Sequence, residues 1–248
     1  DAVTYRYFRF EPIKWRVLRV SGGKAFLLAD QALDEQFYNL NDKNVTWKSS
    51  SIRSWLNGYG STVNEPGKDY TTGSFIDSAF SSSEKKAIVT TDVVNEGNLF
   101  LKREGSKNTR DKLFLLSESE VYKTNTANSY GFISMEKYDD EARRSKSSTY
   151  AKAMGTSAGI LKYSGNCSWW LRSPGNNGNS AVLVKGSGGV EFYGLNVNYG
   201  YSVRPALNMD LSILSWSYAG TVCTNGVVKE EACSHTHSYE LTDALPAS

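Results

Sequence analysis

Between Ser168 and Leu207 the chain reads SWWLRSPGNNGNSAVLVKGSGGVEFYGLNVNYGYSVRPAL, and this stretch limits the fold more than any other. Its two ends, SWWLRSPG and YSVRPAL, are stiff and apolar, and each carries one arginine. Blocks of this kind belong in core strands. A guanidinium there must spend its donors on loop carbonyls or a carboxylate. Arg172 and Arg204 are accordingly read as struts holding long loops, not as ligand anchors. The middle of the stretch is Gly, Asn, Ser and Tyr, residues that turn easily and make good contact surfaces. The pattern predicts strands at Trp169 to Arg172, Ala181 to Lys185, Val190 to Tyr193 and Ser202 to Leu207. Gly186 to Gly189 links the middle pair as a hairpin. Trp169 and Trp170 should point to opposite faces, one into the core and the other partly exposed.

The N-terminal half supplies short elements. Ile13 to Val20 alternates apolar and polar, Ser21-Gly22-Gly23-Lys24 makes a turn, and Ala25 to Ala29 returns as a buried strand. A helix follows at SSSIRSWLNGYG: Ser49 or Ser50 caps it, Ile52, Trp55 and Leu56 share a face, and Asn57-Gly58 ends it. Ser81 with Glu84, and Ser117 with Glu120, have capping-box spacing. Glu118 and Glu120 thus read as a capping pair, not as catalytic carboxylates. Tyr59 to Gly73 is an excursion loop, and Lys112 to Leu116 is a short strand. Lys123 to Ser148 is polar, with Arg143, Arg144 and Lys146 as a solvated basic surface. A helical turn from Thr149 to Met154 stops at Gly155.

After Asp210 the pattern fades. Leu211 to Val228 has a little strand character, and Cys233 to Ser248 is polar without periodicity. Residues 1–212 are read as one α+β domain and 213–248 as a C-terminal extension or linker. Loops as long as those inside the domain usually have a functional reason.

Composition excludes several function classes. An apolar fraction of 40% and fifteen Tyr with six Trp are ample for a core. The formal net charge of +2 gives no electrostatic case for nucleic acid. No apolar run of about 18 residues exists to span a membrane. The chain begins at Asp1, which fits a mature secreted protein and an extracellular or cell-surface location.

Candidate chemistry is thin. Of the three cysteines, Cys167 beside the Trp pair reads as a buried small hydrophobe. Cys223 and Cys233 flank a turn-like segment and can pair in an oxidising compartment, though spacing alone does not decide it. Cys233-Ser234-His235-Thr236-His237 contains zinc-ligand types, but a structural zinc needs closed four-coordination and no second pair is near. Asn64-Glu65-Pro66-Gly67 lacks the amide after proline that calcium-dependent sugar binding would use, and calcium needs several converging oxygens. No catalytic residue, metal or cofactor is expected.

The ordered blocks WRVL (Trp15 to Leu18), LLAD (Leu27 to Asp30), TW..S.IR.WLN (Thr46 to Asn57), FLLSESE (Phe114 to Glu120), TYA..MG (Thr149 to Gly155), WWLRSPG (Trp169 to Gly175) and VRPAL (Val203 to Leu207) resemble a bacterial domain of unknown function found in surface proteins. That domain is similar to the formylglycine-generating-enzyme-like branch of the C-type lectin fold. The resemblance implies a small twisted antiparallel sheet with two or more short helices and long loops. It places the closing motif at Tyr201-Ser202-Val203-Arg204. The enzymes of that branch use a pair of cysteines, and only Cys167 stands here, so activity is not implied. The branch also contains the variable proteins of diversity-generating retroelements, whose asparagine-rich stretch before the last strand is diversified and displayed to ligands. Asn176, Asn177, Asn179, Asn196 and Asn198, with Tyr193, Tyr199 and Tyr201, stand in the corresponding place.

The expectation is a non-enzymatic domain that binds a protein or glycan through this Asn/Tyr set. The alternative is a structural module of a larger adhesin, or a degenerate enzyme-like domain without activity.

Overall fold

Lys24–Ala29 (β2) is apolar at every position after Lys24, and only a strand covered on both faces and paired on both edges can bury such a run. The computed structural model describes residues 11–122, 130–132, 139–156 and 165–213, with the backbone of 221–222 and 228–229. In it β2 pairs antiparallel on one side with Trp15–Ser21 (β1), through the expected Gly22-Gly23 turn. On its other side lies Ala206–Asp210 (β12). Beyond β12, Ile88–Val89 (β4) and Leu113–Phe114 (β7) pair with successive parts of the same strand.

The second sheet has five strands in the order Val190–Asn196 (β10), Ser180–Val184 (β9), Trp169–Pro174 (β8), Gly200–Val203 (β11) and Asp34–Phe37 (β3). All its neighbours are antiparallel except β8 and β11, which meet in parallel at Trp169 and Ser202. The architecture is thus mixed α+β and mostly antiparallel, built on two five-stranded sheets where one small sheet was expected.

The predicted strand Ser202 to Leu207 divides between the sheets. Pro205 has no N–H and interrupts a ladder. Before it β11 pairs with β3, and after it β12 pairs with β2. The chain makes the same passage on the partner side, leaving β2 in one sheet and entering β3 in the other. At the crossing, Ala29 N–H donates to the Pro205 carbonyl and Leu33 N–H to the Val203 carbonyl, each at 2.9 Å. Arg204 lies in this crossing, fully buried. Its Nε donates to the Ala29 carbonyl at 2.7 Å and its Nη2 to the Asp30 carbonyl at 3.3 Å. The guanidinium also sits 5.1 Å from the Trp169 ring centre. Burial, and next the nearby Arg16 charge, hold its pKa well below the usual arginine range.

Two further expectations are corrected by burial. Trp169 and Trp170 are both fully covered, because this sheet is packed on both faces. Trp169 Nε1 donates to the Arg143 carbonyl at 3.1 Å. Trp170 Nε1 donates to the Gln36 carbonyl at 3.0 Å, beneath the rings of Tyr38 and Tyr201. Arg143 is not on a solvated surface. It is fully buried, donates to the Gly188 and Val121 carbonyls and pairs with Asp140 at 3.3 Å.

The helices follow their local signals. Ser51–Asn57 (α1) starts at Ser50, whose hydroxyl accepts the Arg53 N–H, and ends at Gly58 with φ of 72°. Phe75–Ala79 (α2) precedes Ser82–Ala87 (α3), which opens with the Ser81/Glu84 capping box. Glu118–Val121 (α4) opens with the Ser117/Glu120 box. Thr149–Ala153 (α5) is capped by the Ser148 hydroxyl. Past Asp210, the described backbone contains a short antiparallel pairing of Thr221–Val222 with Val228–Lys229.

Two outcomes test this layout. Arg204→Lys keeps the charge but cannot span both carbonyls, so it is expected to lose roughly 2 kcal/mol or more in urea unfolding. An unchanged midpoint would contradict the crossing. The second concerns Asp34, at the start of β3, whose carboxyl is pushed up to about 6, chiefly by burial. A raised folded pKa gives stability that is complete below the unfolded value and is lost as pH rises through about 6. Asp34→Asn should therefore gain up to about 3 kcal/mol over wild type at pH 8, the gap closing towards pH 4. A gap that stays constant with pH would rule this out.

Candidate functional site

The Asn/Tyr set occupies one end of the second sheet, where the β8–β9 loop and the β10–β11 connection meet. Two glycines allow the meeting. A side chain at Gly175 would come within 2.5 Å of both the Tyr193 carbonyl and the Ser180 hydroxyl. Gly194, at φ of 72°, would meet the Ala181 carbonyl at 2.6 Å. With neither side chain present, β10 bulges between Glu191 and Leu195 and folds against the loop. Asn176 N–H then donates to the Tyr193 carbonyl at 2.8 Å, and Asn177 N–H to the Ser180 hydroxyl at 2.9 Å.

The connection to β11 is tied down in the same way. Val197 N–H donates to the Asn179 carbonyl, and Asn39 N–H to the Val197 carbonyl, both at 2.9 Å. Tyr199 N–H closes a turn on the Asn196 carbonyl at 3.1 Å. Asn179 and Asn196 both donate to Oδ1 of Asp42, at 2.7 and 3.1 Å. Asn198 N–H donates to the Asn196 side chain, while its own Oδ1 is buried without a hydrogen-bond partner among the described residues.

The set therefore divides by role. Tyr193 is 57% exposed and Tyr199 55%, and Asn176 and Asn177 are exposed beside them. Asn179 and Asn196 are committed to Asp42. Tyr201 is half-buried, edge-on to Trp170 at 4.9 Å, and burial followed by the neighbouring Tyr199 raises its pKa. Tyr193 does not share a strand with Tyr201, while Tyr199 sits in the turn just before β11. Tyr193 lies on β10, which β9 and β8 separate from β11 by three inter-strand steps, roughly 14 Å.

Residues outside the predicted set support this rim. Asn98 donates to the Phe192 carbonyl at 2.7 Å and the Pro174 carbonyl at 3.0 Å, and Arg103 donates to the Gly175 carbonyl at 2.7 Å. Of the expected capping pair, Glu120 closes the box with Ser117, and Glu118 serves elsewhere. Its carboxylate accepts the Leu99 and Phe100 N–H groups at 2.9 and 3.2 Å. Leu99 and Phe100 are exposed on the outer side, with Phe100 stacked on Phe192 at 4.3 Å. The sequence signal for this prop was Leu99-Phe100-Leu101, an apolar triplet set between Gly97 and Gly105 in an otherwise polar loop.

Arg172 acts as the expected strut. It donates to the Leu115 carbonyl at 2.8 Å and the Val94 carbonyl at 2.9 Å, and pairs with Glu120 at 2.5 Å. Cys167 is buried, with its thiol on the Ser145 carbonyl. Cys223, Cys233, His235 and His237 lie outside the residues whose side chains are described.

A family model described as a domain of unknown function, DUF6273, matches residues 22–211. The chain belongs to the DUF6273 family. The DUF6273 match takes in both crossing segments and the whole Asn/Tyr rim, and it ends at residue 211. No curated protein and no solved structure matches the chain. Among the described residues no helix is long and apolar enough to cross a membrane.

Proposed function

We propose that this DUF6273 domain is a non-enzymatic ligand-binding domain of C-type-lectin-like fold, in the formylglycine-generating-enzyme-like branch. It is carried by a secreted or surface-anchored bacterial protein, and its ligand is a protein or glycan met by the rim from Asn176 to Tyr201. The supporting observation is that Tyr193 and Tyr199 stand more than half exposed on backbone that is hydrogen-bonded to neighbouring segments. Exposed aromatic rings on fixed backbone offer large amphipathic contact at little entropic cost.

The asparagines support kinship with the variable proteins of diversity-generating retroelements. On this reading Asn176 and Asn177 can vary, since both are exposed, with Asn176 giving up only one long contact from the Ser180 hydroxyl at 3.4 Å. Asn179 and Asn196 are not, because each change would remove a bond to Asp42.

The test is a glycan and protein binding screen comparing wild type with a Tyr193→Ala/Tyr199→Ala double variant. Affinity for the captured ligand should fall at least tenfold, about 1.4 kcal/mol or more. The melting temperature should hold, since exposed positions contribute little to stability. Equal binding by both proteins would remove this rim as the site.

A further inference from the structure

A cleft of about 250 Å³ opens beside Arg172, away from the tyrosine rim, where the first sheet meets the Val94–Glu96 segment. We propose that it is a second binding site and that it takes a single neutral sugar ring. The proposal stands whether or not the tyrosine rim binds anything.

Size sets the first limit. A water fills about 30 Å³ of liquid, so the cleft holds about eight waters or one compact ring, and is too small for a folded peptide segment. Its walls set the second. Phe26, buried and stacked on Phe114, meets Tyr130 edge to face at 5.3 Å, and the half-buried Tyr130 ring supplies the apolar surface for the C–H face of a sugar.

Polar valences around these rings remain unspent among the described residues. Glu120 uses Oε2 for the Ser117 N–H and for Arg172, which leaves Oε1. Glu96 uses Oε2 for the Ser119 hydroxyl, which leaves Oε1. Asn208 spends its Nδ2 on Thr91, which leaves its carbonyl oxygen. These are acceptors, and sugar hydroxyls are the donors they suit.

Donors on the protein side are Arg19, which has no ion pair among the described residues, and the Tyr130 phenol. Burial and then the Glu120 charge raise the Tyr130 pKa, so the phenol keeps its proton at neutral pH. Of the carboxylates lining the cleft, Glu120 is paired with Arg172 and Asp92 with Arg110, so Glu96 stands against Arg19 and the cleft carries little net charge to attract an ion. A neutral polyol with one apolar face satisfies both the walls and the acceptors.

The probes are the methyl glycosides of glucose, galactose, mannose and N-acetylglucosamine, titrated into the protein while amide chemical shifts are followed. At least one should shift the amides of Val93, Glu96 and Asn208 with a millimolar dissociation constant, as expected for so small a ligand. Tyr130→Ala should weaken it at least tenfold. Glu96→Ala, at an exposed position, should weaken it severalfold with the fold intact. Tyr193→Ala/Tyr199→Ala should leave it unchanged, which separates this site from the rim. The proposal is overturned if none of the glycosides shifts these amides. It is equally overturned if the folded Tyr130→Ala and Glu96→Ala proteins bind as wild type does.

Discussion

A guanidinium buried without a carboxylate is among the costlier things a fold can contain, with a penalty of several kcal/mol unless its donors find partners. Arg204 makes no ion pair among the described residues, and the carbonyls of Ala29 and Asp30 take its Nε and Nη2 while Nη1 stays buried without a partner there. Those carbonyls belong to the segment that leaves β2 for β3, while Arg204 belongs to the segment that leaves β11 for β12. One side chain thus fixes the point at which two neighbouring segments both change sheets. The registers of β2 with β12 and of β3 with β11 follow from that crossing.

Arg172 performs a related task a layer away. Its bonds to Leu115 and Val94 join β8 to the segments that precede α4 and follow the short strand Thr91–Val93, and its ion pair with Glu120 anchors the α4 capping box to the sheet. From there the prop loop reaches over the sheet end through Asn98 and Arg103 to the carbonyls of Pro174, Phe192 and Gly175. The rim of tyrosines and asparagines is therefore the outermost layer of a structure braced from within by buried arginines. The exposed side chains of the rim differ from the buried ones that place them.

Local chemistry was legible in the sequence. The Gly22-Gly23 turn, the Ser50 cap with its Gly58 stop, and both capping boxes depend on neighbours within a few residues, and each formed where its residues stand. The role of Arg172 was also readable, because a strand-core arginine has few other uses. Non-local facts were not legible. That Ser202 to Leu207 serves two sheets depends on where β2 and β3 lie. The burial of Trp170 depends on Tyr38, far away in sequence. Arg143 looks solvated within its polar neighbourhood and is buried because Gly188 and Val121 offer it carbonyls. The split of the Asn/Tyr set has the same origin, since nothing local marks Asp42 as the acceptor for Asn179 and Asn196. Strand order likewise sets Tyr193 on β10 apart from Tyr201 on β11, although only the end of β10 and a short turn lie between them in sequence.

The account rests on the rim being rigid before any ligand arrives, and amide hydrogen exchange reads that directly. The N–H groups of Asn39, Asn176 and Val197 carry the bonds that pin it. They should be protected to nearly the level of Leu183 in the centre of the second sheet, opening only with global unfolding. Exchange of these amides at the rate of an open loop, with Leu183 still protected, would contradict a pre-formed binding surface.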